Sequence, residues 1–87
     1  MNYDRYNWIK YLILRRMLRD HIWDGAYRPL QKFLGSIKGH EKGFALEILN
    51  DLIKEGILLS HKGSACISLS TQKKREIEEF IVWMKNE

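Results

Sequence analysis

At Gly56 the hydrophobic period of the chain changes from helical to alternating, and this change restricts the fold more than any other feature. Upstream, Ala45, Leu46, Ile48, Leu49, Leu52 and Ile53 recur at three- and four-residue spacing, so a helix over 40–55 presents one apolar face. Downstream, Ile57, Leu59 and His61 alternate, as do Ala65, Ile67 and Leu69, on either side of Lys62-Gly63-Ser64. That is the period of two paired strands and predicts a hairpin over 57–69. A three-residue loop sets Ile57 opposite Leu69 and Leu59 opposite Ile67, with all four on one side of the ribbon. Gly56 reads as the left-handed residue that closes the helix, with Ile57 folding back on Leu52 in a Schellman cap.

The remaining apolar residues mark out three more helices. From Asp4, a good N-cap type, to Trp23 there is no glycine or proline, which predicts a helix over 4–23 of about five turns. It carries two apolar stripes. Tyr11, Leu14, Leu18 and Ile22, extended by Trp8 and Leu12, are assigned to the core; Ile9, Ile13 and Met17 form a second stripe that calls for another partner. Asp24-Gly25 breaks the helix, and Pro29 suits the first position of a helix over 29–37 with Leu30, Phe33, Leu34 and Ile37 on one face. Ser70 is placed to cap a helix over 71–85 whose inner stripe is Ile77, Phe80, Ile81 and Met84. Val82 and Trp83 lie off that stripe. With Ile9, Ile13 and Met17 they make up the expected interface of a homodimer.

With 87 residues the chain can close a single core, and 45% hydrophobic with 30% charged residues suits one helix-rich domain over 1–87, mainly α with a small β-hairpin. So small a core argues against a roomy buried active site. The N-terminal MNYDRYNW carries charges where a secretory signal needs an apolar run, and no stretch approaches the roughly 20 apolar residues of a membrane span. A cytoplasmic protein without a membrane partner is expected. Cys66 is the single cysteine, which precludes an internal disulfide. His21, His40, His61 and Cys66 lack the paired spacing of zinc sites, so neither metal nor cofactor is expected. Ser60 and His61 are strand neighbours and point to opposite faces, and GSIKGHEKG has no preceding strand to make it a phosphate loop, so the chain does not read as an enzyme.

The order is helix, short helix, tight turn, helix, hairpin, helix. Leu49 and Leu52 are followed by Gly56-Ile57-Leu58, and Ile67-Ser68-Leu69-Ser70 leads into a polar helix start. This pattern, carried mainly by residues 29–69, resembles the winged helix-turn-helix superfamily. The resemblance implies binding of double-stranded DNA and a role in transcription regulation, with the third helix in the major groove and the hairpin as a wing. Carried over by position, the exposed residues of the third helix would be Glu41, Lys42, Gly43, Phe44, Glu47, Asn50 and Asp51, with Lys38 beside the helix N-terminus and Lys62 at the wing tip as further contacts. Of these, Lys38, Lys42, Gly43, Phe44, Glu47, Asn50 and Lys62 are the expected DNA-binding set. The long first helix and added last helix resemble those of small dimeric regulators, in which terminal helices form the dimer contact.

Charge divides unevenly: residues 1–43 hold nine Lys/Arg against four Asp/Glu, and residues 44–87 hold six against seven. A basic half suits phosphates. The third helix is less suited, since Lys42 and Lys54 face Glu41, Glu47, Asp51 and Glu55, and acids beside a phosphate backbone oppose binding. The acidic third helix, an exposed Phe44 and the spare apolar stripes support a second reading, a winged-helix module that binds another protein. Arg15, Arg16 and Arg19 read as a solvated helix face whose stems cover apolar surface.

Overall fold

The computed structural model describes residues 4–35, 37–63 and 65–86; Ser36 and Ser64, which fall in the expected second helix and hairpin loop, lie outside them. It is mainly helical with a small antiparallel sheet, the class the periodicity predicts.

Helix α1 spans Arg5–Arg19, with the Asp4 carboxylate accepting the Asn7 N–H at 2.7 Å as its N-cap. It stops short of Trp23. His21 takes the left-handed conformation (φ 53°), its N–H reaches Leu18 O at 3.1 Å, and the Ile22 N–H reaches Met17 O at 3.2 Å. This is a Schellman cap built on histidine, with Ile22 and Met17 both buried. The chain turns there because residues 22–24 are needed alongside the sheet. Ile22 O accepts from Leu69 N and Asp24 N donates to Leu69 O, both at 2.8 Å.

The expected helix over 29–37 is replaced by a two-residue strand β1 (Arg28–Pro29) and a 3-10 turn, Leu30–Phe33. Proline is tolerated in β1 because it lies at the sheet edge, where a missing N–H breaks no ladder bond. The apolar spacing is nonetheless used: Phe33, Leu34 and Ile37 are buried, since a 3-10 turn also returns every third residue to one side. A second 3-10 turn, Gly39–Glu41, leads into α2 (Lys42–Lys54). The end of α2 is as the sequence predicts. Gly56 has φ 78°, its N–H reaches Ile53 O at 3.1 Å, and the Ile57 N–H reaches Leu52 O at 3.0 Å.

Strands β2 (Leu58–His61) and β3 (Cys66–Leu69) form the hairpin, one residue out of the expected register. Leu58 pairs with Leu69 and His61 with Cys66, leaving a four-residue loop, 62–65. Lys62 (φ 52°) and Gly63 (φ 65°) both take the left-handed conformation, and the Ala65 N–H donates to Lys62 O at 3.2 Å. Leu58 is therefore buried and Leu59 half-buried, the reverse of the expectation. The sheet order is β1-β3-β2, so β3 is central and all four of its residues are buried.

A 3-10 turn, Thr71–Lys73, opens α3 (Lys74–Lys85). Ser70 supplies no side-chain cap. Asp24 does so from across the chain, accepting the Thr71 N–H at 3.1 Å and the Thr71 hydroxyl at 2.9 Å.

Ile9, Ile13 and Met17 are at most 1% exposed, which corrects their assignment to a dimer interface. Helix α1 packs against α2, α3, β3 and the first 3-10 turn, and neighbours on several sides bury a wider arc than one stripe. No helix among the described residues is long and apolar enough to cross a membrane.

Candidate nucleic-acid interface

Helix α2 buries Ala45, Ile48, Leu49 and Leu52, and this orientation decides what it offers to solvent. Lys42, Gly43, Leu46, Glu47, Asn50 and Lys54 are exposed. Lys42, Leu46, Asn50 and Lys54 follow one another at four-residue intervals, so they stand on a single ridge. A Cβ on Gly43 would meet nothing within 4 Å, which leaves the first turn of the ridge uncovered. Lys42 and Leu46 also border a shallow concavity of about 380 Å³ with Gln31, Leu34 and Gly35.

Phe44 and Asp51 are turned the other way, toward the N-terminus of α1. The Tyr6 hydroxyl donates to Asp51 Oδ2 at 3.0 Å, and the Tyr6 and Phe44 rings meet edge-on at 6.1 Å. The Arg5 guanidinium lies 5.1 Å from the Phe44 ring centre. Arg5 is also 4.0 Å from the Glu41 carboxylate, and His40 is 3.5 Å from it. Burial, the hydrogen bond to Asp51, and the negative charges of Asp51 and Glu55 push the Tyr6 hydroxyl up to about 12. Phe44 is thus half-buried, which corrects its expected role as an exposed reader. The acid excess of the whole helix is not that of its exposed ridge. Glu41 and Asp51 answer to neighbours in the fold, while Glu47 and Glu55 are exposed, Glu47 one turn from Asn50 and Glu55 next to Lys54 in the chain.

Of the expected contact residues, the structure therefore groups Lys42, Gly43, Glu47 and Asn50 on one surface. Lys38 borders a different concavity, of about 180 Å³, with Trp8, Leu12, Ile37 and Glu41 on the α1 side. Lys62 sits in the hairpin loop with Nζ 5.4 Å from the Tyr27 ring centre, and Tyr27 stacks on His61 at 4.5 Å. His61 Nε2 lies 3.0 Å from the buried Ser68 Oγ, whose own hydrogen goes to the Asp24 carbonyl. His61 is therefore the donor of that pair, and the network holds the 23–27 loop on the outer face of the sheet.

Leu46 and Lys54 belong to the surface and were not among the expected contacts. The signal for them is the four-residue spacing from Lys42, which is masked in the sequence because Leu46 also fits the apolar pattern. Of the expected dimer residues, Val82 and Trp83 are 55% and 48% exposed. Among the described residues no three His, Cys, Asp or Glu side chains are grouped to hold a metal ion. Comparisons with protein-family models, curated proteins and solved structures each returned no match.

Proposed function

We infer that the chain is a winged helix-turn-helix domain that binds double-stranded DNA through the exposed ridge of α2, in the manner of a transcriptional regulator. The observation that carries this reading is the sorting of charge on α2. The ridge holds two lysines and an asparagine, with Glu47 and Glu55 the exposed acids of the helix, while Asp51 and Glu41 are engaged away from it. The helix–turn–helix–hairpin order supports the same reading by analogy of fold, which says less about function than the ridge does. Regulators of this kind act in pairs, and Val82 and Trp83 on α3 are the residues offered for self-association.

Salt dependence tests it. Phosphate contacts release counterions, so the logarithm of the affinity for duplex DNA falls linearly with the logarithm of salt, and Lys42→Ala with Lys54→Ala makes the slope shallower by about 0.9 per lost contact. Glu47→Gln strengthens binding to duplexes of any sequence by removing like-charge repulsion. The single variants Lys38→Ala and Lys62→Ala report whether the two outlying lysines also reach phosphate. A second reading, a protein-binding module, is favoured by Leu46, which is 42% exposed beside the α2 concavity. It is the better account if duplex DNA is not retained even at roughly 50 mM salt.

A further inference from the structure

The order of side chains along the ridge carries more than a preference for phosphate. Its ends, Lys42 and Lys54, are cations, and at 1.5 Å per residue their Cα atoms are about 18 Å apart. A B-form major groove is about 12 Å wide, so long flexible side chains at that separation reach the two phosphate strands that border it. Between them stand an aliphatic side chain and a primary amide. Leu46 is 42% exposed, so its methyl groups are presented to whatever docks along the ridge. Asn50 offers one donor and one acceptor on a planar group.

Resting on the DNA-binding reading above, we propose that α2 selects A·T base pairs, with Leu46 packed on the C5 methyl of a thymine and Asn50 hydrogen-bonded to N6 and N7 of an adenine. Among the four bases only thymine shows a methyl group in the major groove. Adenine presents an acceptor at N7 and a donor at N6, the complement of an amide, whereas guanine presents two acceptors and leaves the amide oxygen unmatched. The Cα atoms of Leu46 and Asn50 are about 6 Å apart, which places their two bases within about two steps of 3.4 Å. The bare first turn at Gly43, where no side chain stands between the backbone and solvent, lets the ridge approach the groove floor.

The test uses the full chain. Duplexes retained from a random pool are sequenced, and the consensus is then resynthesised with uracil for thymine or 7-deazaadenine for adenine, one position at a time. Uracil keeps the pairing and loses the methyl, so one such exchange weakens the wild type about fourfold, the equivalent of one buried methyl group. Removing the adenine N7 acceptor at one position weakens it about fivefold or more. Leu46→Ala binds thymine and uracil duplexes equally, and Asn50→Ala binds adenine and 7-deazaadenine duplexes equally. Both residues are exposed, so both variants keep the wild-type melting transition. A pool without an A·T consensus, or a consensus insensitive to both analogues while salt dependence stays steep, overturns this proposal and leaves the DNA-binding reading standing. Failure to retain any duplex at low salt overturns both.

Discussion

The Tyr6 hydroxyl joins the first turn of α1 to the second half of α2, across forty-five residues of sequence. It holds Asp51 away from the exposed ridge, and no local pattern in the sequence encodes the pair. Tyr6→Phe keeps the ring against Phe44 and removes the hydrogen bond, so it costs about 1.5–3 kcal/mol in denaturant melts, in the range of bonds to charged acceptors. The alkaline limb has a definite sign. The folded hydroxyl is raised from 10.0 to about 12, so the neutral form is favoured by folding. Its contribution is fully present below the unfolded value and is lost as pH rises from 10 toward 12. Melts taken across that range show the wild type losing stability toward Tyr6→Phe; parallel loss in both proteins would place the alkaline sensitivity elsewhere.

At the scale of elements, α1 and α2 end in the same cap with different residues at its left-handed position. At Gly56 glycine carries φ 78°, and a Cβ there would meet only Lys73 Cε at 3.8 Å, an ordinary contact. The cost of Gly56→Ala is therefore in the dihedral, about 1–2 kcal/mol of lost stability. At His21, φ 53° puts a side chain where glycine has no penalty. His21→Gly raises stability by roughly 0.5–1 kcal/mol, the relief of strain less the entropy that glycine loses on folding. Thermal melts of the two variants should move in opposite directions. The glycine made one cap legible. The other was hidden because histidine in a left-handed cap is set by residues 22–24 docking on Leu69, a contact far away in sequence. The register slip in the hairpin also accompanies a left-handed residue, Lys62, that no glycine marked in the sequence.

For the whole molecule, the position of α1 decides which apolar residues are left for other partners. Because α1 is packed by helices, strand and turn together, Ile13 is a core residue, and Ile13→Ala costs about 2–5 kcal/mol. That loss is independent of protein concentration, whereas a residue buried only by self-association would show a concentration-dependent melt. The proposed self-association falls to Val82 and Trp83 on α3, which are exposed. Sedimentation of Val82→Asp with Trp83→Ala against the wild type at micromolar concentration reads it directly. A wild type that is already monomeric there removes the role offered for these two side chains.

Periods and stop signals are local, and where the chain itself supplies them the sequence determined the outcome. The mixed class, the Asp4 cap, the end of α2 at Gly56 and the change to strands after it follow from residues within a turn of one another. The tertiary structure decided what depends on neighbours brought from elsewhere. Residues 28–33 became strand and 3-10 turn because β3 supplied hydrogen bonds that a short isolated helix lacks. Ile9, Ile13 and Met17 went inward because α1 has partners on several sides. The candidate surface divides in the same way: Lys42, Gly43, Glu47 and Asn50 follow from the helical period, but Phe44 and Asp51 leave it for Tyr6 and Arg5. Helical spacing fixes which residues share a face, and only packing fixes which way that face turns.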